Sequence, residues 1–221
     1  MSFRLYLVGG AVRDMLLGRE PVGREFVAVG ARPRDIRAAF PLATRASDSF
    51  IVPGLGEIGL ARIERAAGAA RGNVVAGPWV TLEQDLERRD LTINAMALEV
   101  SVELAREGEV VFAGGIIDPH GGQRDLADGV LRHVGPAFAE DPLRVYRVAR
   151  LAAQLGFRVA PETMAVMCAF AWEHIDPVPD ERVAREIRLA AMAPYALEFE
   201  RVLAAARDLA HGAGSRPEGR T

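Results

Sequence analysis

The spacing of apolar residues changes once along the chain, near Glu140, and that change limits the fold more than any single motif. Before it, apolar runs are short and broken by glycine; after it, they recur every three or four residues. Short runs bounded by turns read as strands with helices between them, whereas a sustained 3.6-residue period reads as helix. The pattern predicts an α/β (α+β) domain over residues 1–135, a helical extension over 136–211 and a disordered polar tail over 212–221. The 221 residues leave room for this arrangement at roughly 150 residues per domain.

In the first part, Arg4–Val8 reads as a strand, and Gly9-Gly10 opens a helix that runs through Leu17 to Gly18. Phe26–Val29 is a second strand, followed by a helix from Pro33 to Phe40. Phe50–Val52 and Glu57–Arg62 read as a hairpin, and the small, glycine-rich stretch Glu64–Pro78 as a mobile loop. Thr81 is placed to cap a helix that runs to Arg89, because a threonine hydroxyl can take up a free N–H of the first turn. Thr92–Leu98 reads as a further helix, and Val100–Val102 with Val110–Phe112 as a second hairpin. In the second part Leu143, Val145, Val148, Leu151 and Leu155 stripe one helix. Pro161–Trp172, a helix capped by Asp180 through Ala191, and Tyr195–Leu209 follow. Met164, Met167, Cys168 and Phe170 are expected in the core.

Several function classes drop out on composition. No apolar run approaches the ~20 residues of a membrane-spanning helix, and the charged N-terminus lacks the pattern of a secretion signal; a cytoplasmic location is expected. A lone cysteine, Cys168, rules out an intrachain disulfide and a cysteine-cluster zinc site. His120, His133, His174 and His211 are too scattered for a metal set. The net charge of −3 argues against coating nucleic acid by bulk charge, yet all 27 basic residues are arginine. Arginine-rich coding in a GC-rich genome explains this; so does a need for planar donors that fit phosphates and base edges.

Three clusters carry possible chemistry. In Leu5–Asp14 a strand meets Gly9-Gly10 and then a helix with Arg13. Such a turn lets a phosphate approach backbone N–H groups, with Arg13 as its counter-charge, or it is simply a tight turn. In Arg88–Met96, adjacent Arg88 and Arg89 cannot share one helix face, so at least one is expected to point toward a ligand or acid. Asp90 and Asn94, four apart, offer a donor–acceptor pair for a sugar hydroxyl or amide, or a helix cap with a solvated neighbour. In Glu140–Arg150, Arg144, Arg147 and Arg150 repeat every third residue behind Asp141. Asp141 and Arg144 could meet a base edge, or the stripe could close internal salt bridges.

Taken in this order, LYLVGGAVRDMLLG, RRDLTINAMA, IDPHGGQRDLADGVLRHV and EDPLRVYRVARLAAQLGF resemble the class II tRNA nucleotidyltransferase (CCA-adding) and bacterial poly(A) polymerase family. Asp180–Glu186 is similar to a later helix of that family, so the likeness spans about residues 3–190. It implies a nucleotidyltransferase head with a five-stranded sheet and an all-helical neck, joined at a flexible Asp118–Asp125. It further implies that Gly9, Gly10 and Arg13 hold a nucleoside triphosphate and that Arg89, Asp90 and Asn94 recognise ribose. Asp141 and Arg144, with Arg147 beside them, would pair with the base of ATP or CTP, and Glu57 would face the site. The implied reaction is attack of an RNA 3′-hydroxyl, that of tRNA foremost, on the α-phosphate of the nucleotide, with pyrophosphate leaving.

One position departs from the family. Its members carry Asp-x-Asp before the second strand to hold two Mg²⁺ ions; here the segment reads Gly23-Arg24-Glu25. Glycine offers no oxygen, which leaves Glu25 as the metal ligand and Glu25 with Glu57 as the catalytic carboxylates. Mg²⁺ needs near-octahedral oxygen geometry, and a two-metal site needs bridging carboxylates. The expectation is impaired catalysis; the alternatives are a non-catalytic nucleotide- or RNA-binding paralogue acting as a sensor or partner, and rescue of the site by Asp48 or Asp35. Family members also continue into body and tail helices that grip the tRNA elbow, so that grip is not expected of these residues. The sequence sets no oligomeric state.

Overall fold

The computed structural model describes residues 3–64, 74–170 and 181–213. Its chain order is β1 (Arg4–Val8), α1 (Gly10–Leu16), β2 (Glu25–Val29), α2 (Pro33–Ala39), β3 (Thr44–Ala46), β4 (Ser49–Val52) and β5 (Gly56–Leu60). Then come β6 (Arg62–Glu64), β7 (Val74–Ala76), α3 (Leu82–Glu87), β8 (Ala97–Val100), α4 (Val102–Arg106) and β9 (Phe112–Ile117). The chain continues through α5 (Gly122–Ala127), β10 (Val130–Leu131), α6 (Leu143–Leu155), β11 (Arg158–Val159), α7 (Pro161–Cys168), α8 (Glu181–Ala191) and α9 (Leu197–Ala213). Two compact units result, Met1–Arg124 and Asp125–Thr221.

The first unit is built on a mixed sheet ordered β3-β4-β5-β2-β1-β8-β9. It holds seven strands rather than the five that the family resemblance implies. Part of the excess is β3, whose three residues are all exposed and carry no apolar alternation from which a strand could be read. Strand β1 lies between β2 and β8, antiparallel to both. Leu5, Tyr6, Leu7 and Val8 are all buried, as a central strand covered on both faces requires. Strand β2 runs parallel to β5, with Glu25 opposite Glu57 on one side and opposite Val8 on the other. The end of β1, where the chain turns into α1, therefore lies beside the starts of β2 and β5.

Two sequence expectations fail in this unit. Thr92–Leu98 is not a helix: a single 3-10 turn at Thr92–Asn94 leads into strand β8. Ala95, Met96, Ala97 and Leu98 are buried throughout, so no exposed face marked the period, and pairing with β1 overrides their helical preference. The expected loop Glu64–Pro78 instead begins and ends in an antiparallel ladder between β6 and β7, while residues 65–73 lie outside the described ones. The second hairpin survives in longer form as β8 and β9, with α4 inserted between them.

The second unit packs α6 against α8 and α9. Val145, Val148, Leu151 and Leu155 are buried along α6 as their spacing predicts, and the Tyr146 and Phe199 rings meet at 6.5 Å. The unit is not wholly helical, since β10 and β11 form a short parallel pair. Met167 is fully buried, but Met164, Cys168 and Phe170 are only half-buried at the end of α7. The capping role of Asp180, residues 171–172, His174 and 214–221 lie outside the described residues; 212 and 213, expected in the tail, still belong to α9. Among the described residues no helix is long and apolar enough to cross a membrane.

Candidate active site

Gly9 ends β1 with φ +72, a left-handed conformation that glycine adopts without steric cost. A Cβ there would stand 3.1 Å from both Arg89 Nη1 and Glu25 Oε2. Glycine is thus what allows a guanidinium and a carboxylate to close over the backbone at the strand end. Those two side chains lie 3.7 Å apart, with Arg89 nearly buried and Glu25 about half exposed. Gly10 begins α1, and the Arg13 guanidinium folds back above it.

Arg13 is held on two sides. Its Nε and Nη2 donate to Asp14 Oδ1 at 2.9 and 2.7 Å, and its Nη1 donates to Asn94 Oδ1 at 2.8 Å. Asn94 Nδ2 in turn donates to Asp90 Oδ1 at 3.1 Å, and the Leu91 N–H donates to the same oxygen at 2.8 Å. Asp90 and Asn94 are both buried and do interact four residues apart, although the backbone between them is a 3-10 turn rather than an α-helix. Of the predicted nucleotide-binding residues, Gly9 and Arg89 thus gather round Glu25, while Arg13, Asp90 and Asn94 form one connected network.

Sequence reasoning missed the residue that organises Arg88 and Arg89. Both arginines reach Asp85, which is 0% exposed. Arg88 Nε and Nη2 donate to its Oδ1 at 3.2 and 3.1 Å, and Arg89 Nη2 donates to its Oδ2 at 3.2 Å. The Arg62 N–H also donates to Oδ1, at 3.1 Å. An acid partner was expected for at least one of the two arginines, and both find the same one: a single carboxylate has two oxygens and serves the i+3 and i+4 positions together. An acid three and four residues ahead of an Arg-Arg pair was the available signal. Burial pulls the Arg88 guanidinium below its usual pKa, against the pull of Asp85. Arg89 Nε is buried with no hydrogen-bond partner.

Glu25 and Glu57, in register on β2 and β5, line a cavity of about 180 Å³ together with Asp48, Arg62 and Arg88. Both glutamates are exposed, and Glu57 accepts a hydrogen bond from Ser49 Oγ. Gly23, two residues before Glu25, has no atom within 4 Å of where a Cβ would stand. Among the described residues no group of three His, Cys, Asp or Glu side chains is placed to hold a metal ion. Asp35 is engaged elsewhere, its Oδ2 accepting from the Arg32 N–H at 2.8 Å. A pair of Mg²⁺ ions needs bridging and terminal carboxylates together; Glu25, Glu57 and Asp48 share the cavity lining, while Gly23 offers no oxygen.

The remaining predicted residues stand at the head of α6 in the second unit. Asp141 Oδ1 accepts from the Leu143 N–H at 3.0 Å, while its Oδ2 lies 3.9 Å from Arg182 Nη1. Arg144 is buried. Arg147 Nη1 lies 3.9 Å from Glu186 of α8, and Arg150 Nε donates to the same buried carboxylate. The arginine repeat thus ties α6 to α8 through Arg147 and Arg150. Asp118, at the expected joint, accepts from the Gly122 and Gln123 N–H groups at 2.7 and 2.9 Å.

Residues 5–132 match the family model of the poly(A) polymerase head domain. The multifunctional CCA protein of Nitrosococcus oceani is 46% identical over 211 residues, which cover 93% of this chain and 49% of that protein. The namesake in Paracidovorax citrulli is 50% identical over 196 residues, covering 86% of this chain and 45% of its own. Among solved structures, the CCA-adding enzyme of Bacillus stearothermophilus in complex with CTP superimposes with a TM-score of 0.73 at 31% identity, over 92% of this chain and 48% of the other. A tRNA nucleotidyltransferase complexed with a primer tRNA and an incoming ATP analog gives 0.69 at 30% identity, over 95% of this chain and 59% of its own. The chain spans about half the length of the curated relatives it matches.

Proposed function

The chain belongs to the RNA 3′-end nucleotidyltransferase family of poly(A) polymerase head domains and CCA-adding enzymes, and from that membership we propose that it binds ATP or CTP and an RNA 3′ end in the cytoplasm with its transfer chemistry impaired. Gly9, Gly10 and Arg13 hold the triphosphate, Arg89, Asp90 and Asn94 meet the ribose, and Asp141 with Arg144 selects the base. The preferred RNA is the 3′ end of tRNA, as the name of a structural relative suggests.

The observation that carries the impairment is Gly23, which has no ligand oxygen where the family pattern places an aspartate. Arg89 Nη1, 3.7 Å from Glu25, adds a positive charge beside the carboxylate that remains. Loss of a group that stabilises transition-state charge commonly costs about 10²-fold or more in rate. Incubation with labelled ATP or CTP, Mg²⁺ and tRNA lacking its 3′ terminus is therefore expected to give transfer at least that far below an ordinary family enzyme. The double change Gly23→Asp, Glu25→Asp is expected to raise it, since the space around Gly23 is open. Full-rate transfer by the unaltered protein refutes the impairment.

A second reading, a purely binding paralogue, is favoured by the Arg13–Asn94–Asp90 network, which needs no metal to hold its shape. It wins if the double change restores no transfer while ATP still binds. Base selection has its own check: Asp141→Ala with Arg144→Ala should level the affinities for ATP, CTP, GTP and UTP in calorimetry. Equal affinities in the unaltered protein refute the assignment.

A further inference from the structure

A larger cavity, of about 440 Å³, opens beside the carboxylate cavity in the same unit and shares Asp48, Leu60 and Arg62 with it. Of the site residues considered from sequence, only Asp48 lines it. Its apolar lining includes Phe50, Pro78 and Trp79, the last 68% exposed. An indole left that open on a small domain is unusual, because aromatic rings carry a large drive toward burial. Here the ring is held in place. Its Cη2, Cζ2 and Cε2 atoms lie 2.5 to 2.7 Å from where a Gly77 Cβ would be, so only glycine at 77 lets the indole lie against the backbone. The Val80 N–H donates to the Gly77 carbonyl at 3.0 Å and closes the turn that presents the ring.

The charged lining is one-sided. Arg32, Arg45 and Arg62 border the cavity against a single carboxylate, Asp48, itself 3.9 Å from Arg62. In a chain whose net charge is −3, this local excess of guanidinium fits a polyanion. An exposed, pre-oriented aromatic face beside arginines is the pairing that binds single-stranded nucleic acid: bases stack on the ring while the guanidiniums follow the phosphates. An acidic peptide would match the charge but would leave the indole face without a flat partner.

We propose that the Trp79 cavity is a stacking subsite for an unpaired RNA nucleotide lying upstream of the terminal nucleotide, whose 3′-hydroxyl enters the Glu25–Glu57 cavity. The proposal rests on the RNA 3′-end reading above and gives that RNA its path. The chain has two tryptophans, so Trp172→Phe leaves Trp79 as the only indole. A short single-stranded RNA ending in CC should quench its fluorescence saturably. In anisotropy titrations of the labelled RNA, Trp79→Ala should weaken binding roughly 5- to 150-fold, and Trp79→Phe, which keeps a ring, much less. Arg45→Ala should reduce the salt slope of binding by about 0.7.

Unchanged RNA affinity in Trp79→Ala overturns the proposal. So does quenching by a blunt duplex RNA or an acidic peptide as strong as by the single strand. ATP affinity, read by calorimetry in the same proteins, should not move with Trp79. If the unaltered protein binds no ATP, the nucleotide reading fails while the RNA titration still decides the subsite.

Discussion

Replacing Asp85 by alanine tests the electrostatic core of the candidate site most directly. The carboxylate is fully buried and accepts from Arg88, Arg89 and the Arg62 backbone N–H. Its removal takes a buried carboxylate from two guanidiniums whose side chains are only 15% and 8% exposed, with the half-exposed Glu25 still 3.7 Å from Arg89. Breaking a buried pair from one side costs about 3–5 kcal/mol, because the surviving charge stays out of water. For a chain of this size each kcal/mol lowers Tm by about 2–4 °C, so a fall of roughly 6–20 °C is expected in a thermal melt followed by circular dichroism. Asp85→Asn retains an acceptor for the Arg62 N–H and should fall between the parent and alanine. Adding Arg88→Met to Asp85→Ala should recover part of the loss, since it removes one of the stranded charges. A loss below about 1 kcal/mol, the range of solvated surface pairs, would refute the reasoning.

Gly9→Ala forces a side chain into the left-handed region and against Arg89 and Glu25, and should cost about 1–2 kcal/mol in urea titration while weakening ATP binding; Gly23→Ala, with open space around it, should stay within about 0.5 kcal/mol. Parent-like stability in the first variant would refute the close approach at Gly9. Burial, reinforced by Arg132, holds the His133 imidazole below its ordinary pKa of 6.5. The folded chain therefore binds that proton less readily than the unfolded chain, and the stability carried by the neutral ring is present above 6.5 and lost as pH falls from there toward the depressed folded value. His133→Gln should flatten that limb of a Tm-against-pH curve; an identical slope in both proteins would refute the assignment.

What the sequence revealed followed the strength of its local signals. Strand β1, the Thr81 cap and helix α6 were legible because a short apolar run ending at Gly9-Gly10, cap chemistry and period each stood out from their surroundings. Thr81 Oγ1 does accept from the Gln84 N–H, at 3.3 Å. Strand β8 was hidden because burial on every side erases period, and β3 because an exposed edge strand shows none. In the site, glycines and charged residues could be picked out but not their partners. Asp85 is one of two acids in the first turn of α3, and spacing alone does not say which of them takes the arginines; the fold gives both to Asp85. Trp79 gave no sequence signal, since its meaning depends on Gly77 beneath it and on arginines from distant elements.

The charges around the strand ends separate binding from chemistry. Arginines contact a triphosphate before transfer as well as during it, so part of what they contribute is ground-state binding, which does not lower the barrier. Cations bridged by carboxylates act differently, because they stabilise charge that develops on the attacking and leaving oxygens. On the proposed reading Arg13 supplies the first kind of interaction, fixed by Asp14 and Asn94. The second kind requires oxygens that Gly23 does not carry. On the proposed reading, the glycine at 23 lowers the rate of transfer and leaves the nucleotide-binding arginine in place. Arg89, tied to Asp85 and leaning on Glu25, gives the site a reason to keep its shape with or without turnover.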